Sequence, residues 1–106
     1  MTNITIKKPK KITLTINDNE NQTISFDPFS ADFVRNFKKL ADVLSNFEVD
    51  KIEEIDEIIN KTFGENATKY LFDNEHNLEM YVEFFTQIKD IVAKVRENNV
   101  NKYINE

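Results

Sequence analysis

Residues 50–64 read DKIEEIDEIINKTFG, and this stretch decides the fold because it marks both ends of a helix. Asp50 and Glu53 have the spacing of a capping box, in which side chains accept hydrogen bonds from backbone N–H groups at a helix start. Gly64 lies where a helix commonly ends in a left-handed residue. Between these marks, apolar residues recur at helical steps, at Ile52, Ile55, Ile59 and Phe63. The stretch therefore predicts an amphipathic helix.

The residues before this helix predict another one with an aromatic face. Asp27 and Pro28 suit the N-cap and the first helical position. Apolar residues then recur at steps of three and four, at Phe29, Phe33, Phe37, Leu40, Leu44 and Phe47. From these stripes and that of the long helix described next, we expect five aromatic core residues: Phe29, Phe33, Phe37, Phe63 and Phe85.

The residues after Gly64 predict a short helical turn at 67–72, a break at Asp73 and Asn74, and a long helix from about Glu75 to about Asn98. One stripe of the long helix carries Leu78, Tyr81, Val82, Phe85, Ile88, Val92 and Val95, and a neighbouring stripe carries Met80, Phe84 and Ile91. This arc is wider than the stripe of about 100° that a surface helix needs. The second stripe therefore requires cover from more of this chain or from a partner.

The first 26 residues predict strands instead of helices. Apolar residues alternate with threonine over 12–16, and residues 23–26 repeat the alternation after a polar turn at 17–21, which predicts a hairpin. The segment Ile4-Thr5-Ile6 has the same alternation, so it is a candidate third strand, joined to the hairpin by a turn at 7–10.

These patterns predict an α+β fold that is mainly helical. A chain of 106 residues has room for one core, since at this size folding buries enough surface for one compact core and not for a second. We expect a single domain over 1–106, with a β-hairpin region at 1–26 and a helical region at 27–106. The helical region is predicted to be a bundle of three to four helices, with the long helix near the C-terminus.

Composition excludes several classes of function. The chain has no cysteine for a disulfide, zinc thiolate site or nucleophile, and its single glycine cannot build a phosphate-binding loop. The net charge of −5 opposes binding to nucleic acid or anionic lipid, and the lysine cluster at 7–11 contains no aromatic residue for base stacking. No signal peptide or membrane span is evident. We expect no cofactor, no nucleic-acid partner and no membrane partner.

The sequence contains few residues that could form a catalytic or metal-binding site. His76 is the only histidine and lies in a polar run, where we expect it to be solvated. A metal site of His76, Glu79 and Glu83 has workable spacing but lacks a further ligand. The acidic residues of 48–57 are predicted to form a solvated helix face or an electrostatic partner surface. We therefore expect a protein that is not an enzyme and has no metal site.

A contact surface is the remaining functional prediction. Aromatic and other large apolar residues that one core does not account for are typical of protein interfaces. We predict partner binding by six residues: Tyr70, Phe72, Met80, Phe84, Ile91 and Tyr103. The wide apolar arc also favours a homo-oligomer, of which the symmetric dimer is the commonest form.

Residues 63–72, FGENATKYLF, and 77–85, NLEMYVEFF, carry a family resemblance. They resemble the small tail assembly chaperones of tailed phages and prophages of low-GC Gram-positive bacteria. The shared pattern is Phe-Gly-Glu, then Ala, then Leu-Phe, followed by Asn-Leu and an aromatic-rich long helix. In that family a short β-hairpin precedes a helical bundle, so the resemblance implies the same fold as the patterns above.

The resemblance also implies a function. It implies a non-enzymatic protein that binds the phage tape measure protein, or another tail protein, during tail morphogenesis in the host bacterial cytoplasm and is absent from the virion. The family supplies no motif of ligand residues, so the contact residues rest on the apolar argument alone. Two alternatives stay open: a structural tail or connector subunit retained in the virion, and a small phage inhibitor of a host protein.

Overall fold

The computed structural model describes residues 2–6 and 11–104, and the side chains of the last helix as far as residue 98. Within these ranges the elements are β1 (Ile12–Ile16), β2 (Asn19–Phe26), α1 (Ala31–Ser45), α2 (Ile52–Phe63), α3 (Ala67–Phe72) and α4 (Leu78–Ile104). A 3-10 turn, Val49–Lys51, precedes α2. The predicted fold class is confirmed: a hairpin followed by helices, with one long helix near the C-terminus.

The hairpin closes through a two-residue turn. Asn17 and Asp18 both have positive φ, 51° and 59°, which is the conformation that matches the twist of paired strands. Pairing of Leu14 with Ile24 places both side chains on the face towards the helices. The candidate third strand is wrong, because residues 2–6 form no strand. The predicted turn at 7–10 lies outside the described residues.

The first helix begins later than predicted. Its N-cap is Ser30, whose Oγ accepts a hydrogen bond from the Phe33 N–H at 3.5 Å. Asp27 instead closes a turn, in which its Oδ1 accepts from the Phe29 N–H at 3.0 Å. The prediction of Asp27 and Pro28 as the helix start is therefore wrong. Phe29 lies before the helix and is therefore not part of its apolar stripe. It is 45% exposed, so its assignment to the core is also wrong.

α2 ends at Gly64 as predicted, but the predicted capping box and the predicted left-handed conformation of Gly64 are both wrong. No capping box forms, because the 3-10 turn occupies residues 49–51 and the N-cap residue Lys51 makes no side-chain capping bond. At the other end Gly64 donates its N–H to the Asn60 carbonyl at 3.1 Å and has φ 134° and ψ 151°. Only glycine adopts these angles readily. A Cβ at Gly64 would meet no atom within 4 Å, so the backbone angle, and not lack of space, requires glycine.

The predicted break between the last two helices is confirmed. Asp73 and Asn74 have positive φ, 50° and 59°, and end α3. The long helix begins at Leu78, where Asn77 Oδ1 accepts from the Glu79 N–H at 2.9 Å. Although α4 has 27 residues, no helix in the described ranges is apolar enough over a sufficient length to cross a membrane.

Phe63 lies at the centre of an aromatic core. Its ring lies edge-on to those of Phe26 on β2 at 5.3 Å, Phe33 on α1 at 5.9 Å and Phe84 on α4 at 5.1 Å, measured between centroids. These geometries are the favoured ones for aromatic pairs. The residue at the end of α2 therefore joins the hairpin to the first and last helices.

Two other predicted core residues lie at the margin of this cluster. The rings of Phe37 on α1 and Phe85 on α4 are half-buried and stack at 4.8 Å. A second tie between these regions is the hydrogen bond that Arg96 Nη2 donates to the Pro28 carbonyl at 2.8 Å. The middle of α1 is thus fixed against α4 by stacking, and the segment before α1 by a hydrogen bond.

Truncating Phe63 tests the importance of this centre. We expect Phe63→Ala to lower the free energy of unfolding by about 3–5 kcal/mol, because it removes apolar contacts and leaves a cavity. The exposed Phe29 supplies the control, and Phe29→Ala should change stability by less than about 0.5 kcal/mol. Urea denaturation followed by circular dichroism measures both. Equal losses for the two variants would contradict the central position of Phe63.

Candidate functional site

An open groove of about 350 Å³ lies between the hairpin and α4. Nine of its lining residues are apolar: Leu14, Ile16, Ile24, Leu71, Phe72, Met80, Phe84, Ile88 and Ile91. Four polar residues complete the lining: Thr15, Asn17, Glu83 and Gln87. A concave apolar surface with a few polar groups is the usual form of a binding site for a ligand or a peptide side chain.

The groove brings together four of the six predicted contact residues. Phe72, Met80, Phe84 and Ile91 all line it. Tyr70 is half-buried on α3 and does not line the groove. The side chain of Tyr103 lies outside the described residues. The neighbouring stripe of α4 thus faces the hairpin, and the hairpin covers it only in part.

Two of these four residues require a correction. Phe72 and Phe84 are 2% and 8% exposed, so the prediction that they form an exposed contact surface is wrong. The cause is aromatic packing: Phe84 contacts Phe63, and Phe72 lies edge-on to Tyr81 at 4.5 Å between centroids. They form the floor of the groove, whereas the half-buried Met80 and Ile91 remain partly accessible.

Sequence reasoning missed the opposite wall of the groove. Leu14 and Ile24 come from the hairpin and Leu71 from α3. The alternation in 12–16 and 23–26 did place Leu14 and Ile24 on one face of the hairpin. Nothing in the alternation shows which helix that face meets, so the pattern alone did not place these residues opposite α4.

A polar network near the start of α4 connects three segments. Tyr81 Oη donates to Asp56 Oδ1 at 2.8 Å, and His76 Nε2 lies 3.0 Å from Asp56 Oδ2. Asp56 therefore receives one contact from buried Tyr81 and one from half-exposed His76. Burial, followed by the hydrogen bond and negative charge of Asp56, raises the pKa of Tyr81 above its usual value of 10. The network fixes α2 to the start of α4.

The same network explains the position of His76, which contacts Asp56. It is partly exposed, as predicted, but it pairs with Asp56 across the chain. A polar contact at this level of exposure contributes little stability. Within the described residues, no three histidine, aspartate or glutamate side chains converge in a way that could hold a metal ion. His76, Glu79 and Glu83 thus do not come together as a ligand set.

Comparison with protein-family models, with curated proteins and with solved structures gives no match to this chain. The groove and the Tyr81 network are therefore interpreted from their own geometry.

The raised pKa of Tyr81 makes a pH-dependent prediction. A phenol whose pKa is higher in the folded than in the unfolded state stabilises the fold below pH 10, and this contribution is lost as the pH rises above 10. Above pH 10 the wild type should lose up to about 1.4 kcal/mol per pH unit relative to Tyr81→Phe. Urea unfolding at pH 9, 10 and 11 measures this difference, with Tyr70→Phe as the control. Parallel pH profiles for wild type and Tyr81→Phe would contradict the assignment.

Proposed function

We propose that the protein is a non-enzymatic phage tail assembly chaperone that binds the tape measure protein during tail morphogenesis in the host bacterial cytoplasm. Two lines support this proposal. The stretch at 63–85 resembles that family, and the groove between the hairpin and α4 offers an apolar site for a partner. The groove is the main evidence for a binding function, whereas the identity of the partner is suggested by the resemblance alone.

The chemistry of the groove favours binding over catalysis. Of its lining residues only Glu83 is ionisable, whereas acid–base and nucleophilic catalysis need a reacting group and a partner that orients or activates it. The floor is formed by buried apolar residues such as Phe72 and Phe84. Binding to such a floor lowers the free energy, because an apolar side chain of the partner is removed from water.

The shape suits an amphipathic helix. Helices dock in apolar grooves through side chains spaced three or four residues apart, and the polar residues Glu83 and Gln87 can meet the polar flank of such a helix. A groove of about 350 Å³ accepts few side chains, so one site binds weakly. A long client with repeated apolar stripes allows several copies to bind side by side, and multiple attachment raises the overall affinity.

Ile91 and Val82 provide a matched test of the groove. Both are β-branched residues of α4, but Ile91 lines the groove whereas Val82 is 46% exposed and does not line it. We expect Ile91→Glu to weaken binding of the phage's tape measure protein by about tenfold or more, which corresponds to about 1.4 kcal/mol. Val82→Glu should bind as the wild type does. Co-expression with the tape measure protein, scored by the soluble client fraction, measures the effect.

Three outcomes separate the proposal from its alternatives. If the wild type and folded Ile91→Glu keep the same fraction of the tape measure protein soluble, the groove is not the binding site. Failure of the wild-type protein to keep the tape measure protein soluble would remove the proposed client. Mass spectrometry of purified virions tests retention: a chaperone should be absent, whereas a structural subunit would be present in many copies.

A further inference from the structure

The N-terminal arm, residues 2–6, exposes an apolar pair. Ile4 and Ile6 are 82% and 86% exposed, the highest values among the large apolar residues of the described chain. Thr5 separates them, so both isoleucines lie on one side of the arm when it is extended. Two solvent-exposed isoleucines on one side of an extended segment form an apolar surface, which pairing with the edge of a sheet can bury.

The hairpin offers a complementary edge. Within residues 2–6 and 11–104, β1 pairs with β2 only, so its second edge has backbone groups available for another strand. This edge lies beside the groove, because Leu14 and Thr15 of β1 both line it. A strand added to β1 would therefore extend the apolar face of the hairpin over α4.

The side-chain pattern of the arm fits this edge. In an antiparallel register, Ile6 lies opposite Ile12 and Ile4 opposite Leu14. Ile12 and Leu14 pack towards the helices, and opposite residues of paired strands share a face. Both arm isoleucines would thus point inwards, while Thr5 would lie opposite the exposed Thr13. A shift by one residue would turn both isoleucines to solvent, so the pattern excludes such shifts and agrees with this register.

We propose that the arm of one copy adds to β1 of a second copy, in a reciprocal strand-exchanged dimer. The same register within one chain requires a reversal over residues 7–11, whose sequence is KKPKK. Repulsion between four lysines favours extension, and a proline restricts the preceding residue to extended angles. Exchange needs no reversal over these residues, and it is a low-cost route from a monomer to a dimer.

Formation of the dimer does not require the client proposed above. The arm pairs along residues 12–14, and Ile4 adds an apolar side chain at the Leu14 end of the groove. The Ile16 and Asn17 end of the groove remains open.

Analytical ultracentrifugation of the full chain tests the dimer. We expect a species of twice the 12.5 kDa chain mass, in equilibrium with monomer. The double variant Ile4→Asp with Ile6→Asp should raise the dimer Kd by about tenfold or more, because it places charge on the buried face. The control Thr5→Asp alters the outward face and should leave the dimer intact. Both isoleucines are exposed within one chain, so circular dichroism should show an unchanged fold.

Cysteine cross-linking tests the register and distinguishes exchange from folding back. The chain has no cysteine, and residues opposite each other in an antiparallel pair have Cα atoms about 4.5–5.5 Å apart, which suits a disulfide. A mixture of Thr5→Cys and Thr13→Cys chains should form a mixed disulfide dimer on mild oxidation. Thr5→Cys with Thr23→Cys, on β2, should not, because the arm is proposed to pair with β1 and not with β2.

Three results would overturn the proposal. The first is a monomer at every concentration tested. The second is a dimer that keeps its Kd in the Ile4→Asp and Ile6→Asp variant. The third is an intrachain disulfide at monomer mass when Thr5→Cys and Thr13→Cys are combined in one chain, since that result shows that the arm pairs with its own β1.

Discussion

The packing of the Phe63 ring is the constraint on which the rest of the structure depends. Phe63 ends α2, and its edges meet aromatic rings from β2, α1 and α4. The next residue, Gly64, turns the chain with angles that glycine alone adopts readily. Because the ring and the turn are adjacent, the position of α3 and the start of α4 follow from how the end of α2 is buried.

The packing around Phe63 also determines which surfaces of the hairpin remain uncovered. Phe26 at the end of β2 stacks on Phe33 at 5.1 Å and lies edge-on to Phe63, which draws β2 into the core. β1 lies further out, and its inner face meets α4 across a groove. The open groove and the free strand edge are therefore two consequences of one arrangement, in which only one strand of the hairpin is fixed by aromatic contacts.

The sequence predicted the elements well and the contacts between them less well. The helical stripe of α2 and the alternation in β1 are local, so they placed Ile55 in the core and Leu14 on the inner face. The start of α1 was misplaced because Asp27 and Ser30 are both suitable caps, and only packing selects one. Phe84 was misassigned to the surface because a single sequence does not show that Phe63 and Phe72 pack against its ring.

The proposed function requires that the groove between the hairpin and α4 is the partner-binding surface. Methyl NMR with a helical segment of the proposed client, a phage tape measure protein, tests this requirement, because Leu14, Ile24, Met80 and Ile91 carry methyl groups in the groove, whereas Val34 and Val49 are exposed elsewhere. Binding in the groove should give saturable shift changes at the four groove residues and none at the two valines. Changes confined to the valines, or no saturable change, would contradict it.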